Sequence, residues 1–237
     1  MKIGCVWEHN GEDSLLYAQD LPGAYSRGCS LGEAMDKMPN EVRVYLSWAG
    51  EEIPDDMEIV VVQDASCDLT VRDADSDVLF DAERYPLSRE EYERLKTLAL
   101  RSASCFQELY DAISDKEYSA DPIRKTFYGY APRTAGEMYR HTRSVNAYYF
   151  GEIGVDADNE GTILECRVRG FEALEHIPGF LDMVPAEGSY GEWWSVRKVL
   201  RRFIWHDRIH AKAMFRMAKR NALADGMTDP FCFEAMK

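Results

Sequence analysis

The chain has 237 residues, 46% hydrophobic and 30% charged, with a formal net charge of −14. No stretch approaches the roughly 20 apolar residues that a helical bilayer span needs, so no membrane-spanning helix is expected and a globular protein is. The acid is concentrated at the front: residues 1–86 carry six Lys/Arg against nineteen Asp/Glu, a net of −13, and the rest of the chain nets −1. That step predicts two units, and it argues against nucleic-acid binding, because phosphate contacts need Lys and Arg.

The start, Met1-Lys2-Ile3-Gly4-Cys5-Val6-Trp7-Glu8, meets an acid before any signal-like apolar run develops, which predicts a cytoplasmic protein. Residues 2–8 and 14–19 read as strands joined at Asn10-Gly11, a hairpin turn signal. Asp20-Leu21-Pro22-Gly23 breaks the pattern. Ser30 with Glu33 forms a capping box opening a helix to about Trp48, which Pro39 should kink or divide. Met57 to Val62 is a β-branched run and predicts another strand. The order is β-β-α-β, a small α+β unit over residues 1–65. Residues 66–87, rich in Asp and Ser, read as extra strand plus acidic linker.

Four helices are predicted after the linker, over 88–237. The first runs over about 88–114 from a Ser88/Glu91 capping box, the second from Thr134, with Glu137 at its third position, to about Glu152. The third covers roughly 162–176 and the fourth roughly Glu192 to Asn221. Four helices of this length imply a bundle. The six cysteines include no CxxC pair, which predicts reduced, mostly buried thiols rather than a disulfide framework or zinc ribbon.

Two of the five histidines, His206 and His210, stand four apart and so share one helix face. At about 100° per residue they lie with Val199, Phe203, Met214 and Met217, while most of the Arg and Lys of this helix lie opposite. His141 sits in a similar stripe with Met138, Val145 and Tyr149. Three inward imidazoles suit zinc, nickel, iron or manganese with a position left open. The alternative is a set of core histidines bonded to tyrosines and acids. Asp207 is expected at the surface or behind the ligands, and His9 and His176 in structural roles. Trp205 and Ile209 lie on the arginine-rich side, so that side should be covered by the acidic unit or by a second subunit.

Residues 88–221 resemble the DinB-like metal-binding fold, through a lone histidine in the second helix (Glu137-Met138-Tyr139-Arg140-His141) and the His206–His210 pair in the fourth. The resemblance implies an up-up-down-down bundle in which His141, His206 and His210 hold a divalent metal. It implies hydrolysis or thiol-S-transfer on a small molecule, and homodimers. Glu137 is then a candidate general base, or else only the capping carboxylate. Residues 1–63 resemble the HicB-like antitoxin fold, through Ala18-Gln19-Asp20-Leu21-Pro22-Gly23-Ala24-Tyr25-Ser26-Arg27-Gly28 and the helix start Ser30-Leu31-Gly32-Glu33-Ala34. No basic DNA-binding segment follows, so a recruited binding module is expected instead. The competing expectation for the whole chain is a non-catalytic binding protein with a structural metal.

Overall fold

A computed structural model describes residues 1–236. The N-terminal part is a four-stranded sheet crossed by one helix. Strands β1 (Lys2–Asn10) and β2 (Asp13–Ala18) form the expected hairpin, β3 (Tyr25–Gly28) follows, and after helix α1 (Leu31–Ala49) the chain returns as β4 (Glu58–Ser66). The sheet order is β3-β2-β1-β4, antiparallel except for the parallel β1–β4 pair. A parallel pair needs a crossover, and α1 is that crossover.

The unit is therefore β-β-β-α-β rather than β-β-α-β. The four-residue strand β3 was missed because it is too short to show alternation. Pro39 lies inside α1 and does not divide it. Ser30 Oγ accepts from Glu33 N at the start, and Gly50 closes the helix in the left-handed conformation at φ 76°.

Period-two alternation sends side chains of β1 and β2 to two different cores. Ile3, Cys5, Leu16 and Ala18 join the core that contains Met38, Val42 and Tyr45 of α1. Leu15 and Tyr17 belong to a second cluster with Val6, Tyr25, Val71, Val78, Phe80 and Trp205. The stretch expected as a linker thus packs on the sheet, and Val71 and Phe80 are buried within it.

Helix α2 (Arg89–Asp111) is followed by a small hairpin of β5 (Lys125–Thr126) and β6 (Gly129–Tyr130), then by α3 (Ala135–Gly151) and α4 (Ile163–Glu175). A second short hairpin, β7 (Ala186–Glu187) with β8 (Trp193–Trp194), precedes α5 (Val196–Arg220). Capping boxes at Ser88/Glu91, Thr134/Glu137 and Thr162/Glu165 start α2, α3 and α4. Helix α5 begins four residues later than expected, because Trp193 and Trp194 are spent on β8 and Ser195 is the cap. Helix α2 packs on α5 and α4, and α3 packs on α5 and α4. Among the described residues, no helix is long and apolar enough to cross a membrane.

Helix α5 is the axle of the molecule. Eighteen of its 25 residues are buried, and its exposed residues, Ala213, Arg216, Lys219 and Arg220, are confined to its C-terminal half. Its arginine-rich side lies against the N-terminal part. Arg201 pairs with Glu83 at 2.5 Å, Arg208 and Lys212 with Glu41 at 2.9 and 2.6 Å, and Arg202 donates to Ser76 O at 2.7 Å. Trp205, 2% exposed, sits among Tyr17, Tyr25 and Phe80, with Ile209 packed against that cluster. The charge step in the sequence is thus met within one chain.

Candidate metal centre

The side of α5 away from the sheet carries His206 and His210, one turn apart, and α3 brings His141 to meet them. One ligand atom from each ring can be chosen so that all three lie within 4.8 Å of one another, a set that could hold a metal ion. Ring centroids are 5.1 Å apart for His141–His206, 4.6 Å for His141–His210 and 4.5 Å for His206–His210. His206 is buried, and the other two are half-buried.

Burial pushes His206 well below the usual imidazole range, and the neighbouring His210, His141, Arg202 and Arg167 push it further. His210 is pushed down to about 3 by burial and by His141, and burial lowers His141 as well. All three rings are therefore neutral at pH 7, the form that ligates. Nδ1 of His206 is buried with no hydrogen-bond partner. Other buried side-chain atoms, among them Trp194 Nε1 and Thr142 Oγ1, are likewise unpaired, so this nitrogen supports a metal only together with the convergence of the three rings. Tyr149 meets the ring only edge-on, at 6.0 Å. A buried polar atom without a partner costs free energy that an external Lewis acid can offset, and the neutral donor set fits one.

His141 also opens onto solvent. It lines a cavity of about 560 Å³ together with Tyr128, Tyr130, Arg133, Glu137 and Arg140. Tyr128, at the turn of the β5–β6 hairpin, stacks on the His141 ring at 5.5 Å with 15° between planes. Nothing in the sequence pointed to Tyr128, which lies in a loop with no periodicity.

Glu137 lines the same cavity, but its carboxylate is engaged in the cap. Oε2 accepts from Arg133 N at 2.7 Å and Thr134 N at 3.2 Å. The Arg133 amide, outweighing the opposing effect of burial with help from Thr134, holds it below the usual carboxylate range. That costs Glu137 the basicity which a proton acceptor at neutral pH requires. The capping role is the one its position serves.

Asp207, expected at the surface or behind the ligands, is fully buried. It receives Arg167 Nη1 and Nη2, each at 3.2 Å, and Ser102 Oγ at 2.5 Å, while Arg167 Nε donates to Asn146 Oδ1 at 3.2 Å. One residue from each of α2, α3, α4 and α5 meets in this knot, which fixes the rotation of α5 and with it the aim of both histidines. The remaining histidines are remote in role. His9 stacks on Trp7 at 3.9 Å and bonds Asp64, and His176 is exposed at the end of α4 with Nδ1 against Glu172 O. Of the six free cysteines only Cys5 and Cys166 are buried, so the thiols are less buried than expected. No family model, curated protein or solved structure matches this chain, so the centre is read from its own geometry.

Proposed function

We propose that the chain is a divalent-metal protein of the DinB-like type, with an up-up-down-down bundle over α2–α5 and a HicB-like unit in front. His141, His206 and His210 are the ligands, and the ion is zinc, nickel, iron or manganese. The observation that carries the reading is the convergence of three neutral imidazoles from two helices, one with an unpaired buried nitrogen. A bound ion of this kind supplies Lewis acidity, lowering the pKa of a water or thiol at neutral pH. The substrate is a small molecule admitted through the cavity beside His141, and the reaction class is amide hydrolysis or thiol-S-transfer. The chain's part is to aim the rings through the Asp207–Arg167 knot and to cover the centre with Tyr128.

Metal content of the purified protein is the test, measured beside His206→Ala and His210→Ala. One ion per chain, lost in both variants, is expected. A metal-free wild type, whose melting temperature is unchanged in the variants, would discard the reading. The engagement of Glu137 favours a second reading, a binding protein with a structural metal. Cobalt substitution divides the two: a visible spectrum that shifts on adding azide or a thiol marks an exchangeable position, and an inert spectrum marks a closed shell.

A further inference from the structure

We propose that the cavity beside His141 is built for a small organic anion with a flat aromatic body, held by Arg133 and Arg140. The inference rests on the metal reading only for which end of the molecule reacts. Binding itself follows from the cavity wall.

The wall has two kinds of surface. Ile123, Tyr128 and Tyr130 line it while 68%, 44% and 69% exposed, so three large apolar side chains within eight residues are left open to solvent around one cleft. Apolar groups concentrated at the rim of a cavity mark a ligand surface more often than a fault in packing. Tyr128 is stacked on the His141 ring and met edge-on by Phe127 at 4.8 Å, so this wall already holds aromatic rings against one another.

The second surface is charged. Arg133 and Arg140 line the cavity with one acid, Glu137, whose carboxylate serves the backbone amides of Arg133 and Thr134. The wall presents two guanidinium groups against one carboxylate, and a second carboxylate, Glu117, is bonded to Arg140. Arg133 uses Nη1 on Asp121 O at 3.0 Å, and a guanidinium has further N–H groups to give. Arg140 is paired with Glu117 at 3.0 and 3.3 Å, with both side chains more than half exposed. Both side chains of this two-point pair are open to solvent, so a ligand oxyanion can reach Arg140 and compete with Glu117 for it. Glu117 is therefore an internal competitor for the ligand's charge. Guanidinium recognises carboxylate and phosphate alike, and the flat wall selects the body.

The experiment titrates the full chain, zinc-loaded and chelator-treated, with benzoate, benzamide and acetate, followed by calorimetry or saturation-transfer NMR. Benzoate is expected to bind tighter than either the uncharged ring or the ringless anion. Arg140→Gln and Arg133→Gln should each weaken benzoate about tenfold, the worth of a charge-assisted hydrogen bond. Glu117→Gln should tighten benzoate several-fold, the opposite sign, and Tyr128→Ala should weaken benzoate and benzamide together. Equal binding of benzoate and benzamide overturns the inference, as does an affinity indifferent to both Arg140→Gln and Glu117→Gln. Benzoate binding that requires zinc and ignores Arg140 also overturns it, while leaving the metal reading standing. Arginine-dependent binding to a chain that never takes up metal keeps the inference and removes the metal reading.

Discussion

Removing either half of the buried Arg167–Asp207 pair should destabilise the protein, but by unequal amounts and with different pH behaviour. Both side chains are 0% exposed. Asp207→Ala deletes three hydrogen bonds and leaves the Arg167 cation with Asn146 Oδ1 as its acceptor. A guanidinium cannot shed its proton, so the full penalty for an uncompensated buried charge applies, about 3–5 kcal/mol. In a chain of this size that is a fall in melting temperature of roughly 6–20 °C. Arg167→Met strands an acid that has an escape. Burial already lifts Asp207 above the usual carboxylate range despite Arg167 and Ser102, and without Arg167 it rises further and takes up a proton. The folded state then binds more protons than the unfolded one. The variant should therefore regain stability as pH falls toward the unfolded Asp value near about 3.9, whereas Asp207→Ala should not. Replacing both with Leu and Met should return stability to within about 1 kcal/mol of wild type, or above it. Urea unfolding of the four proteins at several pH values reads all of this. A loss below about 1 kcal/mol in Asp207→Ala, or identical pH slopes in the two single variants, would refute the reasoning.

Glu41 should show the reverse dependence. Burial raises its pKa, but Lys212 and Arg208 outweigh that and hold it below the usual range, so it contributes stability above the unfolded Glu value near about 4.3 and loses it as pH falls through the folded one. Glu41→Gln should lower the urea midpoint at pH 7 and flatten the acid limb of the profile. Gly23 stands at φ 99°, with a built Cβ only 2.5 Å from Ile204 Cγ2, so Gly23→Ala should cost about 1–3 kcal/mol in thermal unfolding. If the histidine centre is loaded, chelation should lower the melting temperature of wild type, by as much as about 4 kcal/mol of stability at a thousandfold excess of metal over Kd, and leave His206→Ala unmoved.

The parts legible in the sequence were those written by near neighbours. Asn10-Gly11 and the alternation on each side gave the β1–β2 hairpin, and the Ser30, Ser88 and Thr134 caps gave three helix starts to within a residue. The histidine set was legible for the same reason, since an i, i+4 pair and a lone ring in an apolar stripe are local patterns. What failed depended on distant partners. Residues 66–87 looked like a linker because acid and serine suggest solvent, yet Glu83 is buried against Arg201, a partner 118 positions away. Asp207 was placed by angle alone. A helical wheel gives the direction of a side chain but not what lies there, and the N-terminal half of α5 is enclosed almost completely by protein.

That enclosure bears on whether the chain can be divided. A cut between residues 84 and 88 would bare Trp205, Arg201 and Arg208 on one fragment and strand Glu41 and Glu83 on the other. Each fragment would then carry an apolar or charged scar where its complement had been. Sheet and helices therefore complete each other's core and countercharges, and neither is expected to keep its structure without the other.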